Sequence, residues 1–279
     1  MRRLPPAAYR TLLRAALRED LGRSGDLTTR LFVPATARFT ARVLSREAGV
    51  ICGLDVAAAA FRACDRGARV RALVRDGARI RPGQAVMTVS GGRGLLTAER
   101  TALNFLQRLS GVATLTRRYA DRVKGTRARV LDTRKTLPGW RALDKYAVAC
   151  GGGVNHRMGL YDAVMVKDNH YLGRRLEAGA RELRRRHPGT PLIVECDSPS
   201  QIARALALKP DVILLDNMPP AALRRQIKRL RAMAPRVKIE ISGGVNLNSV
   251  RALAKLGPDR ISVGRLTHSA PALDLGLDL

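Results

Sequence analysis

Aromatic residues make up only 4% of this 279-residue chain, and it holds a single Trp. A surface that binds single strands of nucleic acid by stacking bases interleaves rings with basic residues, and no such interleaving occurs here. Acidic residues are scarce too: 23 Asp and Glu stand against 51 Lys and Arg, a formal net charge of +28. Only eight of the basic residues are Lys and 43 are Arg, scattered over the whole length among Ala, Gly and Leu. Such scatter is a drift in composition rather than a patch. It argues against nucleic acid as a partner and leaves a general positive field that draws in small polyanions.

Long apolar runs are missing as well. No stretch approaches the ~20 uninterrupted apolar residues of a membrane span, and the basic start MRRLPPAAYR is not followed by the apolar core of a secretory leader. The four cysteines, Cys52, Cys64, Cys150 and Cys196, show no C-x-x-C or Cys/His spacing that gathers zinc. These absences predict reduced thiols and a cytoplasmic protein with no membrane partner.

What is present is a strand-helix alternation. From residue 127 onward short apolar runs each end in a polar residue: RARVLDTRK, YDAVMVKDN, PLIVECDS, PDVILLDNM, VKIEISGG and DRISVGRL. Helical periodicity fills the gaps at 171–187, 200–208, 220–233 and 247–256, the pattern of a parallel α/β sheet, open or closed into a barrel. The first hundred residues read differently. A helix near 6–20, the stretch ARFTARVLSREAGVICG, a helix at 54–64 and the turn-rich DGARIRPGQAVMTVSGG suggest a small mixed domain on an antiparallel sheet, and a long helix from Leu95 bridges to the alternating part.

In barrels of this kind chemistry collects at the C-terminal ends of strands, where Lys135, Lys167, Glu195, Asp216, Ser242 and Gly264 fall. Arg100, Arg134, Lys135, His156, Arg157 and Lys167 make a basic set. Arg clamps a carboxylate or phosphate through paired hydrogen bonds and Lys acts as a point charge, so the mixture suits a ligand with several anionic groups. Glu195 and Asp216 close consecutive strands and suit a divalent cation shared with phosphate oxygens, or else structural pairing with Arg. Ser242, Gly243 and Gly244 in ISGGVN, with Gly264 in SVG, offer backbone N–H groups to a phosphate.

The stretches GDLTT, ERTALNFLQRLSG, DTRKTLPGWRALDKYAV, GGGVNHRMGLYDAVMVKDNH, VILLDNM and THSAPALD resemble those of the quinolinate phosphoribosyltransferases, the nicotinate-nucleotide pyrophosphorylases of NAD synthesis. The resemblance runs nearly end to end. It implies an α/β protein with a small N-terminal open sandwich and an incomplete (β/α) barrel, over 1–105 and 106–269, with the tail 270–279 returning to the first domain. It also implies a homodimer, alone or within a higher oligomer, in which each barrel is capped by its partner's N-terminal domain.

The implied substrates are quinolinate and phosphoribosyl pyrophosphate, with Mg²⁺ as cofactor. Arg100 would enter from the partner, Arg134, His156 and Arg157 would hold the pyridine dicarboxylate, and Lys135 and Lys167 would face carboxylates and phosphates. Glu195 and Asp216 would lie by the ribose and its metal, and the SGG and SVG turns would take the 5′-phosphate. Two positions depart from the family pattern: Ile193 stands where an acid is frequent, and Arg265 where a small residue is usual. Rival readings are a molybdenum-transport-linked relative of the same fold, a lyase using Lys167 as a Schiff-base nucleophile, and a basic nucleic-acid-binding protein.

Overall fold

A computed structural model describes residues 4–171 and 175–279 and divides into two compact units. The first comprises 1–117, 136–152 and 266–279, and the second 118–135 and 153–265. A sequence cut at 105/106 falls inside the helix Gly94–Val123, which carries the chain from the first unit into the second.

In the first unit, strands β1 (Phe39–Ser45), β2 (Gly49–Val50), β3 (Arg69–Ala72), β4 (Arg79–Ile80) and β5 (Ala85–Gly91) are joined by a strand from the far end of the chain. Alternation on β1 buries Ala41, Val43 and Ser45 and turns Thr40 and Arg42 outward, as expected of a sheet with one wet face. The helix Leu54–Cys64 buries Val56, Ala57, Ala60 and Phe61. Phe105, on the long helix, stacks on Trp140 with ring centroids 4.9 Å apart.

Trp140 opens the helix Arg141–Cys150, on which Asp144 and Lys145 are fully buried. Arg108 Nη2 lies 3.1 Å from Asp144 Oδ1 and also donates to the carbonyls of Thr267 and, through Nη1, Ala270; Asp144 Oδ2 accepts the Leu137 N–H at 3.4 Å. All four cysteines are free, with the buried Cys52 and Cys150 sulfurs 3.3 Å apart. Asp26 of the GDLTT stretch caps the helix Leu27–Phe32, Oδ1 accepting the Thr29 N–H at 2.9 Å.

The second unit contains β6 (Arg129–Leu131), β7 (Val164–Val166), β8 (Leu192–Cys196), β9 (Val212–Asp216), β10 (Lys238–Ser242) and β11 (Arg260–Ser262), all parallel. The last strand of the chain, β12 (Leu275–Asp278), belongs to the first unit, whose sheet runs β12-β1-β5-β3 and is antiparallel. The six-stranded order of the second unit is β6-β11-β10-β9-β8-β7. Its first strand therefore pairs with its last, the closure of a barrel, while no ladder joins its first to its second.

That opening makes the barrel incomplete. Val154 forms only an isolated bridge to Leu131 there. Helices Leu176–Arg186, Pro199–Ala207, Pro220–Met233 and Val250–Lys255 follow successive strands, which explains why β8 and β9 read as continuous apolar runs. The helical expectation for 171–187 includes 172–174, which lie outside the described residues. No described helix is long and apolar enough to cross a membrane.

Candidate active site

Parallel strands bring their C-terminal ends to one rim, and most of the expected ligands are there. Arg134 and Lys135 follow β6, Lys167 follows β7, Glu195 lies near the end of β8, Asp216 and Ser242 end β9 and β10, and Gly264 follows β11. His156 and Arg157 lie on the connection from β6 to β7. Arg100 is the exception: it is an exposed residue of the Gly94–Val123 helix, in the first unit.

Lys167 Nζ sits 2.5 Å from Glu195 Oε2, with the two side chains 42% and 16% exposed. The KDNH sequence builds the short helix Asp168–Tyr171, and His170 Nδ1 accepts the Lys167 backbone N–H at 2.9 Å. Arg157 Nη1 donates to the Ala163 carbonyl at 3.1 Å. Burial pushes the Arg157 guanidinium down from its ordinary value and the like charge of Arg134 adds to it, while Asp162 and Glu195 act the other way. An incoming anion would offset that like charge. Lys135 is exposed, its N–H bonded to Thr133 Oγ1 at 3.0 Å.

At the end of β10, Gly243 and Gly244 have φ of 97° and 59°. A Cβ on Gly243 would also lie 2.7 Å from the Asn217 nitrogen, so both conformation and space demand glycine. Asn217 donates its N–H to the Ser242 carbonyl at 3.0 Å and its side-chain Nδ2 to Asp216 Oδ2 at 2.7 Å, so the SGG turn and Asp216 are held together. Of the glycines preceding His156, Gly152 has a positive φ, 88°.

His156 is held by its backbone and by one ring nitrogen. Its N–H donates to the buried Asp132 Oδ1 at 2.8 Å, its Nδ1 accepts the Arg157 N–H at 2.7 Å, and its Nε2 lies 3.3 Å from Glu240 Oε1. Glu240 is fully buried, accepts the Ser262 hydroxyl, and has Arg260 Nη1 at 3.8 Å from its other oxygen. Sequence reasoning missed Asp132, Glu240 and Ser262. The signal was available for Glu240, a lone acid inside the apolar run KIEIS, two residues before Ser242 and so on the same face of its strand.

Ile193, where an acid is frequent in the family pattern, is 2% exposed in a cluster with Ala163, Val212, Leu214 and Met165. Burial in that apolar half of the interior explains its side chain. Arg265 is exposed at the start of the helix Arg265–His268. Among the described residues, the group of three or more side chains placed to hold a metal ion is Cys52, Asp76 and Cys150, in the first unit. Glu195 and Asp216 belong to no such group among the described residues.

Comparison with known proteins gives a consistent picture. The family profile described as quinolinate phosphoribosyl transferase, N-terminal domain, matches residues 26–110, and that of the C-terminal domain matches 112–278. A nicotinate-nucleotide pyrophosphorylase [carboxylating] of Mycobacterium leprae is 47% identical over 277 residues, covering 98% of this chain and 97% of the relative. A probable enzyme of the same name from Bacillus subtilis is 37% identical, covering 94% and 90%. The solved nicotinate-nucleotide pyrophosphorylase of Francisella tularensis superposes with a TM-score of 0.92 at 35% identity, covering 99% of this chain and 97% of that one.

Proposed function

The chain belongs to the quinolinate phosphoribosyltransferase family, and from that premise we propose that it transfers the phosphoribosyl group of phosphoribosyl pyrophosphate to the ring nitrogen of quinolinate. The 2-carboxylate leaves as carbon dioxide, giving nicotinate mononucleotide and pyrophosphate as a step of NAD biosynthesis. The observation that carries this reading is the rim itself: Lys167 paired with Glu195, and Arg157 within the field of both Glu195 and Arg134.

Quinolinate brings two adjacent carboxylates to this cationic group. Arg134, His156 and Arg157 form the dicarboxylate end, and Lys135 and Lys167 serve the carboxylates and the diphosphate. An incoming anion competes with Glu195 for the Lys167 ammonium, so the pair opens at low cost at a wet rim. Backbone N–H groups of the Ser242–Gly244 turn and of Gly264 take the 5′-phosphate. Breaking the anomeric bond builds positive charge on the ribose and negative charge on pyrophosphate, which Glu195 and Asp216 on one side and the lysines on the other are suited to stabilise. After the nitrogen has bonded to the anomeric carbon it is a cation, and it stabilises the electron pair that stays on the adjacent ring carbon as carbon dioxide departs; that carbon then uses the pair to bond a proton.

The two rim carboxylates fit Mg²⁺, which is held by one or two carboxylates with substrate phosphates completing its shell. When bound, the metal would neutralise charge on the diphosphate. A homodimer with shared sites is part of the same proposal: Leu31 and Phe32 in the first unit are 71% and 80% exposed, and Leu160 and Tyr161 in the second 70% and 79%. Such exposed apolar groups suit a second copy of the chain. The four free thiols accord with a cytoplasmic location.

The deciding experiment incubates the protein with quinolinate, phosphoribosyl pyrophosphate and Mg²⁺ and follows pyrophosphate and carbon dioxide together. Release of both in equal amounts is expected, with no turnover of nicotinate; comparable use of nicotinate would overturn the assignment. For the shared site, mixing Arg100→Ala with Lys167→Ala protein under conditions of subunit exchange should restore part of the activity that each lacks.

A further inference from the structure

In the first unit two thiols and a carboxylate converge on one point and have no part in the reaction above. We propose that Cys52, Cys150 and Asp76 form a binding site for a thiophilic divalent cation of the zinc type, with a fourth position open to the cavity beside it. The site shares no residue with the proposed reaction and stands or falls independently of it. No local spacing announces it, because each ligand comes from a different segment of the chain.

The ligand atoms are already gathered. The two sulfurs are 3.3 Å apart, and they and a carboxylate oxygen of Asp76 all lie within 4.8 Å of one another. Tetrahedral zinc with bonds of about 2.0–2.3 Å needs spacings of roughly 3.5–4 Å between ligands, so small side-chain rotations suffice. Backbone contacts hold the three segments together. Gly77 donates its N–H to the Ile51 carbonyl at 2.8 Å and Ile51 donates to the Ala78 carbonyl at 3.0 Å, which clamps the turn of Asp76 to the segment of Cys52. Gly77 has a φ of 86°, and a Cβ there would stand 3.2 Å from the Cys150 carbonyl, so glycine lets that turn approach the end of the helix Arg141–Cys150.

The support around the ligands is of the kind that orients a metal's first shell. Asp76 Oδ1 accepts the N–H groups of Gly53 and Leu54 at 3.0 and 3.2 Å, and Oδ2 accepts the Tyr146 hydroxyl at 2.8 Å. A carboxylate has about four acceptor sites, so one is left for an ion. Cys52 and Cys150 are 0% and 3% exposed. Burial, then the neighbouring Cys150 and Asp76, push the Cys52 thiol up, and burial raises the Asp76 carboxyl against the pull of its hydrogen bonds. Acids crowded out of water in this way hold protons that a dication replaces.

Sulfur ligands select zinc over magnesium, which prefers oxygen. Two thiolates and a carboxylate carry one negative charge more than the ion balances. Arg75 and Arg117 outnumber Asp55 on the wall of the adjoining cavity of ≈ 580 Å³ and offset that charge. Cys150, Asp76 and Tyr146 line the same cavity, which gives the ion an entry and a water the fourth position.

The test uses the full-length reduced protein, freed of metal by a chelator, with cobalt(II) as the probe. One equivalent per chain should produce a thiolate-to-cobalt charge-transfer absorption, and zinc should bleach it. Each thiol gives up its proton on ligation, so loading at pH 7 should release about two protons per ion. Loss of even an outer-shell partner costs about 10–100-fold in metal affinity, so Cys52→Ser, Cys150→Ser and Asp76→Asn should each weaken cobalt binding at least about tenfold. Cys64→Ser should bind as the parent does.

A spectrum without the charge-transfer band, which is what cobalt held by the rim carboxylates alone would give, overturns the site. So does a band that survives in Cys150→Ser, or loading that releases no protons. A reduced protein that binds no cobalt, and that loses two hydrogens per chain by mass when oxidised in air, would make the thiols a disulfide pair and refute the metal site. Should one variant fail to fold, the other two and the proton count of the parent still decide.

Discussion

Of the carboxylate–cation pairs in the two units, Arg108 with Asp144 in the first and Lys167 with Glu195 in the second are built for opposite ends. In the first unit Arg108 and Asp144 are 19% and 0% exposed, and Arg108 donates further to the Thr267 and Ala270 carbonyls while Asp144 accepts the Leu137 N–H. In the second unit Lys167 and Glu195 are 42% and 16% exposed. The rigid planar fork of Arg satisfies several fixed acceptors at once, whereas the Lys ammonium on its flexible stem can exchange one anion for another. Pairing geometry alone therefore does not mark a catalytic group. The proposed site is distinguished instead by an ion pair left open to water at the end of a strand, with a cation that a ligand can take over.

The contrast breaks most sharply at the buried pair. Asp144→Ala strips the counter-charge from Arg108 and the acceptor from Leu137, and should destabilise the protein by about 3–5 kcal/mol, read as a shift in the urea midpoint. A change under about 1 kcal/mol would remove the distinction between strut and tool. At the open pair the sign of the effects reverses: Lys167→Ala should leave the urea midpoint nearly unchanged but lower kcat/KM for quinolinate by roughly 10²–10³, the cost of losing one preorganised charge. Asp216→Asn should follow, cutting kcat more than it weakens quinolinate binding, because the lost interaction belongs to the transition state; equal losses would take Asp216 out of the ribose end.

Arg157→Ala should weaken quinolinate binding by at least about tenfold, the loss of one charge-assisted contact, and narrow the preference over nicotinate. A smaller effect concerns pH. Burial pushes the Asp144 carboxyl up, against the pull of Arg108, so the native state keeps that proton to higher pH than the unfolded chain. The associated stability is fully present below the unfolded value and fades as pH rises through the folded one. Asp144→Asn cannot titrate, and urea melts from pH 3.5 to 7 should show that part of the slope missing; an unchanged slope would mean that the carboxyl titrates normally.

Much of this was legible in the sequence. The helices Leu54–Cys64 and Pro220–Met233 coincide with the periodic segments at 54–64 and 220–233, because apolar faces repeat cleanly there. The six parallel strands were readable as apolar runs, since both faces of the sheet are covered. Their count left a barrel and an open sheet both possible, and the pairing of β6 with β11 decides it. The rim residues were legible because strand ends carry the polar groups. Asp132, Glu240 and Ser262 were not, because what matters in them is the contact made across strands, which no local pattern contains. Asp144 and Arg108 escaped for the same reason: they are 36 positions apart and meet only when the long helix meets the segment from Trp140.

The sheet order β12-β1-β5-β3 has a consequence for how the chain comes off the ribosome. β1 emerges early, but the strand that covers its edge is the last to be made, Val43 pairing with Leu277. At roughly 5–20 residues per second of synthesis, β1 waits on the order of 10–50 s with that edge open. Every residue of the second unit has been joined by position 265, before β12 exists. The two units are thus completed in the reverse of the order in which they are begun, and the edge of β1 stays open until the strand from the far end of the chain is free to reach it.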